Sequence, residues 1–109
     1  MICRIARHTN NLKKLADFYC DILNYEVLGR FENHDDYNGI FLGVQGFDWH
    51  LEFTESSKKA EHQFDEDDLL VFYPKSNKEY KQIILNINSN SIEKLSPANP
   101  YWKNNGIII

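Results

Sequence analysis

The sequence predicts an α+β fold made of two successive strand–helix–strand–strand–strand (βαβββ) modules, the second lacking its last strand. Three observations predict it. Leu12, Leu15, Ala16, Tyr19, Ile22 and Leu23 recur at the spacing of a helix with one continuous apolar stripe. Asp48 to Thr54 alternates Trp49, Leu51 and Phe53 with Asp48, His50 and Glu52, the period of a half-buried strand. The element order expected before residue 54 then recurs, shortened, after residue 67.

Composition sets the class. A chain of 109 residues, 42% hydrophobic and 14% aromatic, is one domain with enough apolar surface for a core. The formal charge is −4, with Lys and Arg scattered rather than clustered, which argues against a nucleic-acid partner. No apolar run approaches the roughly 20 residues of a membrane span. The start, Met1-Ile2-Cys3-Arg4, carries no secretory apolar region. Cys3 and Cys20 form neither a metal-type spacing nor a disulfide framework. A reduced, cytoplasmic protein is expected.

Within the first module (residues 1–54), Ile2 to Arg7 is expected as a short strand. Thr9-Asn10-Asn11 supplies N-cap chemistry for the helix, and Asn24 is a left-handed stop. Cys20 lies at the edge of the apolar stripe with no basic partner, as a packed, inert thiol would. Tyr25 to Phe31 and Tyr37 to Gly43 are the next strands, joined by the polar connection Glu32 to Asp36. His34, Asp35 and Asp36 are read as a solvated turn, because adjacent turn residues do not converge on one ion. Asn38-Gly39 signals a turn or bulge near the start of the return strand.

Residues 55–67 are charged and read as a linker, with His62 a surface histidine. In the second module (68–109), Leu69 to Tyr73 is expected as a strand buried on both faces, ended by Pro74. Ser76-Asn77-Lys78-Glu79 is a capping box for a helix striped by Tyr80, Ile83, Ile84 and Ile87. Asn86 to Asn90 reads as turn, Ile92 to Leu95 as a short strand, and Gly106 to Ile109 as the start of another. Three isoleucines at the end predict either a truncated product or an edge supplied by another subunit.

Leu15-Ala16-Asp17-Phe18-Tyr19 with Ile22 to Leu28, then His50-Leu51-Glu52-Phe53 and Asn99-Pro100-Tyr101-Trp102, resemble the vicinal oxygen chelate superfamily. That group holds glyoxalase I, bleomycin-resistance proteins and extradiol dioxygenases, and the likeness is nearest its uncharacterised bacterial glyoxalase-like members. The resemblance implies two modules around a cup, a homodimer, and a divalent metal held by four side chains. Transferred onto this chain, the first ligand position falls on Arg4, a permanent cation that binds no metal. The second falls on Glu52, the third on Leu69 or, one residue away, Asp68, and the fourth beyond Ile109. The implied metal set is therefore incomplete, with Glu52 its one clear ligand.

The transferred positions place Arg4 against Glu52, an ion pair worth about 3–5 kcal/mol on losing a partner if it is buried. One reading of the pair is purely structural. The other makes Arg4 an anchor for a small organic ligand bearing a carboxylate or phosphate. Glu52 and His50 are then the candidate catalytic groups, His50 as proton donor or hydrogen-bond partner, and Tyr73, Tyr101 and Trp102 the candidate ligand walls. The loop from Pro97 to Trp102 is read as a lid or as a rigid connection. Three functions compete: a metal-independent small-molecule binder, a divalent-metal lyase, isomerase or dioxygenase using Glu52, and a truncated copy without activity.

Overall fold

A computed structural model describes residues 1–109, as two compact units, Met1–Glu61 and His62–Ile109. The first unit runs β1 (Cys3–His8), α1 (Leu12–Leu23), β2 (Glu26–His34), β3 (Tyr37–Gly43) and β4 (Trp49–Glu55). The strands form one sheet in the order β1-β4-β3-β2, with β1 parallel to β4 and the other pairs antiparallel. The α+β class and the βαβββ order of this unit are as expected.

Local chemistry explains the helix limits. Asn11 caps α1 by accepting from the Lys14 amide at 3.0 Å, and Asn24 ends it in the left-handed conformation at φ 56°. The apolar stripe of α1 packs on β3 and β4. Ala16, Ile22, Ile40, Leu42, Leu51 and Phe53 are the buried core. Each fully buried large aliphatic contributes about 1.5–3 kcal/mol. Tyr19 stacks on Phe53 with ring centroids 5.2 Å apart, closing the core at the helix side. Burial pushes the Tyr19 phenol above its ordinary range, and the Arg7 charge works weakly against it.

The β2–β3 hairpin corrects the expected polar connection from Glu32 to Asp36. Strand β2 continues to His34, and only Asp35 and Asp36 make the turn, at φ 50° and 72°. Two residues at positive φ match the twist of the flanking strands, so the ladder extends closer to the tip than side-chain polarity suggests. Asn33, also at positive φ, takes up a register shift between Phe31 and His34.

Residues 55–60 are not a free linker but a strap on the first unit. Glu55 Oε2 accepts from the Leu12 amide at 2.9 Å, and Asn10 Oδ1 accepts from the Ala60 amide at 2.7 Å. His8 Nδ1 lies 2.9 Å from Thr54 Oγ1 and its Nε2 3.2 Å from the Lys58 carbonyl oxygen. Asp36 accepts from both the amide and the hydroxyl of Ser57.

The second unit holds α2 (Asn77–Ser89) and the short α3 (Trp102–Asn105). Ser76 caps α2 by accepting from the Glu79 amide at 3.1 Å, half of the expected capping box. The helix runs through Asn86 and Asn88, which the sequence reads as turn; capped nucleation and Ile87, 3% exposed, outweigh the weak propensity of Asn. The strands expected at Leu69–Tyr73, Ile92–Leu95 and Gly106–Ile109 do not form ladders. Leu95 and Ile108 make an isolated antiparallel bridge, 2.8 Å from amide to carbonyl. Leu70, Val71 and Tyr73 are 39%, 43% and 79% exposed, not buried on both faces. Apolar content gives the segment β propensity, but a strand needs a partner ladder.

Candidate functional site

Strand register sets what the sheet shows on the side away from α1. Side chains on neighbouring strands share a face when their residues are paired, and alternate along each strand. Arg4 pairs with His50, Ala6 with Glu52, and Glu52 with Phe41. Phe41 in turn pairs with Gly29, and Gly39 with Phe31. Arg4, His50, Glu52, Phe41 and Phe31 therefore share one face, opposite the core residues Leu51 and Phe53.

Arg4 is the hub of this face. Its Nη1 donates to Glu52 Oε2 at 3.3 Å, and its Nε donates to His50 Nε2 at 3.1 Å. The guanidinium carbon lies 4.9 Å from the centroid of the Phe41 ring, a cation–π distance. His50 meets the same ring edge-on at 5.6 Å. The Glu52 side chain is 13% exposed and that of Arg4 53%, so the carboxylate is largely covered while the arginine stays half open to solvent. A guanidinium only donates. His50 Nε2 is thus the acceptor of this bond.

Glycines flatten the floor beside the charged cluster. A Cβ on Gly39 would lie 2.3 Å from two atoms of the Phe31 ring, so that ring rests on bare backbone. Phe41 approaches Gly29 similarly, at 3.3 Å from an added Cβ. Phe31 and Phe41 lie 6.1 Å apart by ring centroid. Phe31 and Phe41 escape a sequence reading, because their face is decided by register; the period of β3, with Ile40 and Leu42 on the core side of Phe41, is the signal that marks them.

The other expected site residues belong to the second unit. Tyr73 lies outside every helix and strand and is 79% exposed. Tyr101 and Trp102 meet edge to face at 4.9 Å, and Trp102 packs where a Gly106 side chain would otherwise stand. Trp102 opens α3, so the expected lid or rigid loop ends in a helical turn. Asp68 is committed locally, its Oδ2 accepting from the Asp65 amide at 3.0 Å. His34 sits at the hairpin tip against the edge of Phe31, 6.2 Å away, and His62 stacks on Phe64. Burial, then Asp21 and Asp17, push the Cys20 thiol up, consistent with an inert cysteine.

These residues do not fit the four-ligand divalent site of the superfamily. Arg4, where the resemblance expects the first ligand, is a permanent cation already bonded to Glu52 and His50, the two nearby groups able to ligate. No three of the chain's His, Cys, Asp and Glu side chains gather at metal-binding distances. What the cluster can do is hold a guanidinium rigidly, with part of its donor surface turned outward.

Comparison with known proteins places this geometry. The YycE-like N-terminal domain model matches residues 3–54 and the YycE-like C-terminal domain model residues 67–109. The chain is 34% identical over 110 residues to the uncharacterized protein YycE of Bacillus subtilis, a match spanning 97% of this chain and 77% of that protein. The crystal structure of a Bacillus subtilis YycE protein of unknown function, grouped with glyoxalase and fosfomycin-resistance proteins, superposes with a TM-score of 0.83 at 34% identity over 95% of this chain and 77% of that one. The trypanothione-dependent glyoxalase I of Leishmania major gives a TM-score of 0.62 at 18% identity, covering 91% of this chain and 72% of that chain. The fosfomycin resistance protein FosX of Listeria monocytogenes gives 0.62 at 14% identity, covering 96% and 86%. The latter two are likenesses of fold. Sheet order, helix placement and these neighbours define the fold of the vicinal oxygen chelate superfamily. The chain belongs to the YycE-like family. No helix is long and apolar enough to cross a membrane.

Proposed function

We propose that this chain binds a small organic ligand on the face bearing Arg4, His50 and Glu52, without the usual complete metal site. The observation that carries this reading is the guanidinium itself. It is fixed by Glu52, His50 and the Phe41 ring, yet its side chain is 53% exposed. A cation held this firmly in an aromatic setting is prepared for a ligand, because little side-chain entropy is left to lose on binding. The enzymes among its fold neighbours, glyoxalase I and FosX, act on small molecules, which supports the same ligand size. A cytoplasmic homodimer completes the reading.

Two measurements test it together. Titration with Zn²⁺, Ni²⁺ and Mn²⁺ by calorimetry should give no sub-micromolar binding, while small organic fragments should shift the NMR signals of Phe41, His50 and the Arg4 Nε–H. Tight metal binding that disappears in Glu52→Ala would replace this reading with a metal-dependent lyase, isomerase or dioxygenase. Fragments that shift no signal on this face would remove the binding reading altogether.

A further inference from the structure

The geometry points to the class of ligand: we infer that the site takes a carboxylate carried on a flat aromatic body, the carboxylate on Arg4 and the ring on the Phe31–Phe41 shelf. The inference rests on the proposed ligand-binding role and narrows it.

Arg4 still has donors to offer a ligand. Two of its N–H groups are used, one on Glu52 and one on His50. Both of those on Nη2 remain, with the second on Nη1, and all lie in the guanidinium plane. One N–H from each of Nη1 and Nη2 can take the two oxygens of a carboxylate, each in a charge-assisted hydrogen bond. Glu52 holds one N–H of Nη1 and His50 that of Nε, which leaves Nη2 to a ligand. Their carboxylate and imidazole types are those that would grip a divalent cation, and here they grip a guanidinium instead. The fixed positive charge of the face is therefore organic, planar and directional. It favours a ligand with a planar oxyanion over a neutral one.

Glycines shape the face beside Arg4. Gly29 and Gly39 leave out side chains that would otherwise press against the Phe41 and Phe31 rings from the strand beside them. Phe31 lies down on Gly39, and Phe41 adjoins it at 6.1 Å. The outcome is an apolar patch of two rings, tilted 51° to one another, next to the guanidinium that lies over Phe41. A flat ring lies against such a surface through offset or edge contacts, whereas a puckered ring of equal size meets it with less area.

The probes are benzoate, its neutral counterpart benzamide, the puckered cyclohexanecarboxylate, and inorganic phosphate, each titrated by NMR against the intact chain. Benzoate should bind at least about tenfold more tightly than benzamide, the difference expected for one charge-assisted contact. It should also bind more tightly than cyclohexanecarboxylate and phosphate, with shifts on Phe31 and Phe41. Arg4→Gln should abolish the preference for benzoate over benzamide. Arg4→Lys, which keeps the charge and loses the fork, should fold and retain only part of it. Equal binding of benzoate and benzamide, or a preference that survives Arg4→Gln, overturns the carboxylate while leaving small-molecule binding standing. Phosphate or cyclohexanecarboxylate binding as well as benzoate overturns the flat body. No binding of any probe overturns the inference, and binding of unrelated neutral fragments to this face would show that the wider reading survives it.

Discussion

Arg4 and Glu52 stand on neighbouring parallel strands, two residues out of register, and meet at 3.3 Å between Nη1 and Oε2. The offset lets the long arginine side chain lie along the strand pair, over Phe41, with His50 directly beside it. The pair is not a fully buried one, since the Arg4 side chain is 53% exposed. With Arg4 half exposed, solvent screens the attraction, and the pair itself contributes about 0–1 kcal/mol. Arg4→Ala should therefore lower stability by about 1 kcal/mol rather than the 3–5 of a buried pair. Urea denaturation of both proteins reads the difference.

Replacing the cation by a ligand should convert the cluster. Arg4→His sets an imidazole beside His50 and Glu52, a three-donor arrangement of the kind that holds Zn²⁺. Calorimetry should show Zn²⁺ affinity raised at least about tenfold over the parent chain, with release of protons on binding. An unchanged affinity would mean that the three positions do not converge once the guanidinium is gone.

Gly39→Ala tests the aromatic floor. The new methyl would meet the Phe31 ring at 2.3 Å, so the ring must lift off the strand. A cost of about 1–2 kcal/mol is expected from the overpacking, together with altered Phe31 ring signals in NMR. Intact stability and an unmoved ring would show that the backbone yields instead.

Acid should open the latch between the hairpin tip and the strap. The hydroxyl and then the amide of Ser57 hold the Asp36 carboxyl below the usual 3.8. A group whose folded value is depressed adds stability above its unfolded value, and loses it as pH falls through the lower, folded value. The latch should thus persist through mildly acidic solution and give way only below the ordinary aspartate range. A carbon-detected NMR titration of Asp36 in the parent and in Ser57→Ala, where the value should rise, checks the sign.

The local parts of this fold were legible from residues alone. Asn11 and Asn24 bound the first helix, Ser76 starts the second, and the alternation around His50 gives β4, because caps and periodicity act over a few residues. The largest failures were non-local. Leu69–Tyr73 reads as a buried strand, but whether it pairs depends on a partner elsewhere. The hairpin between Phe31 and Tyr37 reads as a loop because polar residues dominate it, although two left-handed aspartates are enough to turn the chain. In the candidate site, Arg4, His50 and Glu52 could be named from strand parity and family resemblance. Phe41 and Phe31 could not, since their place beside Arg4 is a matter of register across three strands.

The strap over residues 55–60 has a consequence for how the chain can be cut. Thr54, Glu55, Ser56, Ser57, Lys58 and Ala60 tie back to His8, Leu12, Asp36 and Asn10, near both ends of the sheet and at the helix start. A break placed just after β4 would leave the first helix turn without Glu55's neighbour residues and strip the hairpin tip of its anchor. A break after Glu61 severs none of these ties. The unit that keeps every one of these ties is therefore the strand-and-helix set with its strap attached, and its boundary falls between Glu61 and His62.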